Sequence, residues 1–163
     1  ISIRYPNHRF TEEGLSFNSS NRRQGVRLHK LFEKATTLSD IEQSLQQMEA
    51  QSLISATEAL HLRESIKRAT ADPIVREWFS GEWDDIKNEA DIISKDALHR
   101  PDRVMIRGCR AVVVDYKFGD NVESKYCTQV RKYISLLRDM GCYDQIEGYV
   151  WYIMRGEVVK VGD

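Results

Sequence analysis

No stretch of this chain approaches the roughly 18 uncharged apolar residues that a membrane-spanning helix needs, so a membrane protein is not expected. Cysteine is scarce. Cys109, Cys127 and Cys142 make an odd count at wide spacing with no CxxC pair, which argues against a disulfide framework and a zinc knuckle. Cys109 and Cys127 are expected to pack as small apolar groups in a reducing, cytoplasmic compartment. Nine glycines and three prolines in 163 residues exclude collagen-like and low-complexity chains. No Walker A loop is present, so this chain by itself is expected to bind no nucleotide cofactor. Arg4, His8, Arg9, Glu12 and Glu13 fall where the apolar region of a secretory signal would sit, and no signal peptide is expected. The first residue is not Met, and a domain cut from a longer protein is expected.

No sign of charge dominates: 24 Lys+Arg stand against 25 Asp+Glu. That balance argues against a free-standing, tight DNA binder. It conceals an asymmetry. Residues 1–37 carry a net +4, residues 38–99 a net −7 and residues 100–163 a net +2. The two basic ends can still touch phosphate if they fold together.

At 41% hydrophobic and 30% charged, the chain has the material for one core and one domain. Residues 1–21 read as a lead-in, punctuated by Pro6, Gly14 and a Ser/Asn run. Leu28, Leu31, Phe32 and Ala35 share one face of a helix expected over 22–37. A second helix is expected over 40–51, capped by Ser39 or Asp40, and striped by Ile41, Leu45 and Met48. Ser55 with Glu58 forms a capping-box pattern for a third. Asp72-Pro73 opens a fourth, ended by Gly81. Ile86, Ala90 and Ile92 alternate as in a half-buried strand over 84–93. Val104–Ile106 and Ala111–Val114 flank a tight Gly108 turn, and the unbroken apolar run suits a central strand. A long helix follows over 122–140, with Val130, Ile134 and Leu137 on one face and Gly141 as its stop. A hairpin over 146–161 closes the chain. The expectation is an α/β fold: a mixed sheet flanked by helices, with a helical stretch at 38–82 ahead of it.

The residues with chemistry gather at the end of the central strand. In Asp115-Tyr116-Lys117 the side chains alternate, so Asp115 and Lys117 point to one face and Tyr116 to the other. Neither Asp115 nor Lys117 is expected to be core. Asp102 stands at the start of the partner strand, and the turn between them can bring the two aspartates together, in a register the sequence leaves open. Two adjacent carboxylates repel unless a cation sits between them, and hard oxygen ligands favour Mg²⁺ or Mn²⁺. Taken alone, Asp-Tyr-Lys is better explained as a strand ending in solvent.

Pro101-Asp102 followed by Asp115-Tyr116-Lys117 resembles the signature of the PD-(D/E)XK nuclease superfamily. Two further motifs resemble its RecB-like branch. Gly25, His29 and Glu33 match a helix motif near the N-terminus, and Gln129 with Tyr133 matches a Gln-then-Tyr helix after the Asp-x-Lys strand. The resemblance spans about residues 22–161. It implies a restriction-endonuclease-like core in a single nuclease domain over 22–163, with 38–82 as a helical insertion. It implies metal ligands at Asp102, Asp115, His29 and the Tyr116 carbonyl, and a water-orienting, charge-balancing Lys117. Gln129 and Tyr133 would support the site or touch DNA, with Glu33 and Glu89 as weaker candidates close to the metal. Arg27 and Lys30, with Lys125, Arg131 and Lys132, could rim the site for phosphate, although solvated helix faces explain about half of such residues.

The resemblance implies Mg²⁺- or Mn²⁺-dependent cleavage of DNA, exonuclease before endonuclease, in recombination or repair. The substrate would be single strands or ends fed by a helicase domain or subunit near the nucleoid. Some relatives carry a four-cysteine iron–sulfur cluster; three scattered cysteines predict none here. The rival reading is a non-catalytic nucleic-acid-binding or scaffolding module that keeps the fold.

Overall fold

The side chains of Thr37, Ser55 and Asp72 cap three of the helices of this protein. The computed structural model describes residues 28–93, 98–119 and 121–162. The lead-in over 1–21, Gly25 and Arg27 lie outside the described residues. Residues 28–32 are helical (α1) and bury Leu28, Leu31 and Phe32. The helix stops short of the expected Thr37, because Thr37 caps the next one. Its hydroxyl accepts from the Asp40 amide while the Asp40 carboxylate accepts from the Thr37 amide, a capping box that opens α2 (Leu38–Ala50). The cap is thus Thr37, not Ser39 or Asp40; Asp40 is its reciprocal partner. The expected box of Ser55 and Glu58 opens α3 (Ala56–Ala69), and Asp72 caps α4 (Pro73–Trp78). The stretch 38–82 is therefore helical over most of its length.

The strands are β1 (Asp85–Asn88), β2 (Ile92–Ile93), β3 (Leu98–His99), β4 (Arg103–Arg107), β5 (Arg110–Lys117), β6 (Gln145–Tyr152) and β7 (Glu157–Val161), with α5 (Ser124–Asp139) between β5 and β6. The strand expected over 84–93 is broken. Glu89 takes a left-handed φ of 49°, which an extended strand cannot absorb, and Ile92–Ile93 pair instead with Leu98–His99 in a separate ribbon. The main sheet runs β1-β4-β5-β6-β7. Only β5 and β6 are parallel, joined through α5; the other pairs are antiparallel. Gly108 turns the β4–β5 hairpin at φ 56°, a conformation glycine adopts without steric cost. Cys109 shares this turn and is exposed. The expected apolar packing of Cys109 is corrected by that position at the tip of a two-residue loop; Cys127 is half-buried.

Strand alternation divides the core between two faces. Met105, Val112, Val114, Tyr116, Tyr149 and Trp151 meet α1–α4. Val104, Val113, Val150 and Tyr152 meet Val130, Tyr133, Ile134 and Leu137 of α5. The result is the expected α/β arrangement, a mixed sheet with helices on both sides. Among the described residues no helix is long and apolar enough to cross a membrane.

Two residues set how closely these layers approach. Gly148 on β6 faces α5; a Cβ there would lie 2.6 Å from both Ile134 Cδ1 and Val130 Cγ1, so only glycine lets the helix sit this close. On the other face Arg103 is fully buried. Its guanidinium donates to the carbonyls of Ala35 and Trp78 and to Asn88 Oδ1, and stacks 4.5 Å from the Phe79 ring centroid. One side chain of β4 thereby holds the chain just after α1, the end of α4 and strand β1.

Two stability measurements check this. Gly148→Ala should destabilise by about 1–3 kcal/mol through overpacking, read as a lower urea midpoint. Arg103→Met keeps the apolar stem but strips two buried carbonyls of their donor, and should cost about 3 kcal/mol; an unchanged midpoint would show that the guanidinium does not hold these elements.

Candidate functional site

The hairpin register decides what meets at the end of β5. Arg103 pairs with Val114, so Asp102, one step beyond, lies across from Asp115. Both share the α5 face with Val104 and Val113. Tyr116 turns to the opposite face, with its ring 4.7 Å from that of Phe32 and 5.8 Å from that of Trp151, and gives the site only its main chain. Its amide donates to Asp102 Oδ2 at 2.6 Å. The other oxygen of Asp102 accepts from His29 Nδ1 at 3.1 Å. The Asp102 carbonyl accepts from the Glu89 amide at 2.9 Å, so the left-handed residue that ends β1 also steadies the aspartate's backbone. α1 packs on the far face of the sheet, and His29 reaches the strand end from there.

Lys117 follows Asp115 on the same face, with Nζ 2.5 Å from Asp115 Oδ2. The two form a close ion pair, and Oδ2 is buried with no other polar partner. Asp115 is 3% exposed, which corrects the expectation that it stands clear of the core. Strand β5 runs on under α5, and Tyr133 of that helix is close enough for the Asp115 charge to act on it. Burial first, then the neighbouring Asp102 charge, pushes the Asp115 carboxyl up to about 6, against the pull of Lys117. For His29, burial opposes the imidazolium, but the hydrogen bond and charge of Asp102 outweigh it and raise its pKa.

Tyr133 is both core and site. Its hydroxyl accepts from Gln129 Nε2 at 2.8 Å and donates to the Arg100 carbonyl at 3.3 Å. Burial, then Asp115, pushes it up to about 12. His29, Asp102, Asp115, Lys117 and Tyr133 are thus brought together, with Gln129 on the rim. Glu33 lies in the exposed turn after α1 and Lys30 is exposed on α1; neither joins these contacts. Arg27 lies outside the described residues. On α5, Lys125 pairs with Glu123 at 2.5 Å, Arg131 donates to the Gly162 carbonyl at 3.1 Å, and Lys132 is exposed.

The sequence reading missed Arg103. Its signal was available: alternation from Met105 sets it on the apolar face, where a charge needs partners.

The donor chemistry fits a hard divalent cation. Two facing carboxylates and an imidazole stand at one strand end, and the buried oxygen Asp115 Oδ2 faces the Lys117 ammonium. The groups lie as direct pairs, His29 with Asp102 and Lys117 with Asp115. Among the described residues no three His, Cys, Asp or Glu side chains surround a common point.

The raised Asp115 pKa sets a pH signature. A carboxyl that titrates near 6 when folded and near its ordinary value when unfolded favours the folded state at low pH. That advantage fades as pH rises through 6. Asp115→Asn cannot titrate, so in chelator its stability relative to wild type should improve by about 2–3 kcal/mol between pH 4 and pH 8. Thermal melts of both proteins across this range provide the check; a difference independent of pH would mean that Asp115 ionises normally.

In a scan against protein-family models no family matches this chain, and no curated protein matches it.

Proposed function

We propose that this chain is a metal-dependent nuclease domain of the restriction-endonuclease-like, RecB-like kind, hydrolysing DNA phosphodiester bonds. The observation that carries the reading is the facing pair of Asp102 and Asp115 with Lys117 on the same strand end, joined by His29 from the opposite side of the sheet. A strand that merely ended in solvent would have no reason to bury one of two adjacent carboxylates.

Asp102, Asp115, His29 and the Tyr116 carbonyl would hold Mg²⁺ or Mn²⁺. Such an ion, when bound, lowers the pKa of a water and polarises a phosphoryl oxygen. Asp102 is set for its part by the Tyr116 amide, which fixes one of its oxygens. Lys117 presents the ammonium. It can donate a hydrogen bond to the attacking water and offset negative charge as the P–O bond to the leaving oxygen breaks, the kind of preorganised electrostatic help that dominates many active sites. Tyr133 and Gln129 hold the α5 side of the site. Exposed Lys30, Lys125 and Lys132 would meet the phosphate backbone without reading sequence. Single-stranded ends fed by a helicase partner are the substrate that suits weak intrinsic binding, with exonuclease action before endonuclease.

The test is paired. Wild type should cut labelled oligonucleotides with Mg²⁺ or Mn²⁺ and stop in chelator. Asp115→Ala should lose both metal binding, by calorimetry, and cutting. Lys117→Ala should still bind metal yet cut about 10²–10³-fold more slowly. If Lys117→Ala cuts as fast as wild type, the lysine has another role. If wild type cuts no DNA with either metal, even with its helicase partner, a non-catalytic binding module is the better account.

A further inference from the structure

Lys117 is held from two sides, and only one of them is a carboxylate. Its ammonium also lies 4.5 Å from the centroid of the Tyr126 ring. Tyr126 sits in the first turn of α5, half-buried. Two contacts fix its orientation. The phenol donates to Glu123 Oε1 at 3.1 Å, and the ring stands 6.3 Å from that of Tyr152, which is buried on β6. Lys125 also reaches this ring, at 5.3 Å, but its ammonium is paired with Glu123 and its side chain is 67% exposed. Lys117 is the inward-facing cation of the two, with a side chain 20% exposed.

A lysine ammonium ends a flexible four-carbon stem, and one carboxylate contact leaves it free to swing about that point. If Asp115 serves as a metal ligand, the carboxylate that Lys117 now contacts would be shared with the ion. The lysine then needs a second hold. An aromatic face attracts a cation through its quadrupole without consuming the carboxylate.

We propose that Tyr126 is a positioning residue for Lys117: its ring is an aromatic shelf that keeps the ammonium at the end of β5, and Glu123 and Tyr152 fix the shelf. The consequence for rate rests on the nuclease reading above; the hold on Lys117 does not.

The variants are Tyr126→Phe, which keeps the ring, and Tyr126→Leu, which keeps apolar bulk without it. The first readout needs no activity. The ε-methylene protons of Lys117 should show an upfield ring-current shift by NMR in wild type and Tyr126→Phe, and lose it in Tyr126→Leu. The second is kinetic. Tyr126→Leu should lower kcat about tenfold at nearly unchanged KM, as expected for loss of one cation–π contact, with Tyr126→Phe restoring most of it. Tyr126→Leu should add no further loss in a Lys117→Ala background. Melting temperatures confirm that each variant folds. A Lys117 shift that survives Tyr126→Leu overturns the proposal, and so does an unchanged kcat in a wild type that cuts. Should wild type fail to cut, the nuclease reading falls while the NMR shift still decides whether Tyr126 holds Lys117.

Discussion

The geometry of the strand end depends on a buried cation that takes no part in it. Arg103 follows Asp102 in sequence, points to the opposite face, and is closed off from solvent. Its partners are the carbonyls of Ala35 and Trp78, the Asn88 amide oxygen and the face of Phe79. Burying a guanidinium without compensation is costly. Here the compensation comes from carbonyls at helix ends: Trp78 closes α4, where the helix dipole is negative, and Ala35 lies just past α1. The arrangement works only if those ends stay where they are. α1 is thereby tied to β4, and His29 on α1 is kept within reach of Asp102, the residue next to Arg103.

A second constraint acts across the sheet. Gly148 lets α5 lie against β6 with Val130 and Ile134 almost touching the backbone. That closeness brings Tyr133 over the end of β5 and Tyr126 onto Lys117. The strand end is therefore squeezed between a helix from each face. Burial raises the Asp115 pKa, and the tension between two carboxylates in such a place is what a cation would relieve.

Much of this was legible in the sequence, for identifiable reasons. Ser55 with Glu58, Asp72 with Pro73, and the Gly108 turn each carry local chemistry that permits few alternatives, and each forms as expected. The pattern Thr37-x-x-Asp40 carries the same kind of signal, with Asp where Glu is usual, two or three residues ahead of the expected cap at Ser39 or Asp40. Glu89 gave no warning: a non-glycine residue at positive φ depends on tertiary contacts, here the bond from its amide to the Asp102 carbonyl. The pairing of the two aspartates needed the hairpin register, which the turn fixes but the residues alone leave open. Burial of Asp115 was hidden too, because its cover comes from a helix some 20 residues further along the chain.

The central claim is that Asp102 and Asp115 face each other in order to share a cation. A crystal structure of the protein grown with Mn²⁺, with anomalous scattering recorded at the manganese edge, tests it most directly. The account predicts an anomalous peak bonded to oxygens of both aspartates, with His29 turned from Asp102 toward the ion. A map without a peak at this strand end, with Asp102 still bonded to His29 and Asp115 still against Lys117 at millimolar Mn²⁺, would contradict it.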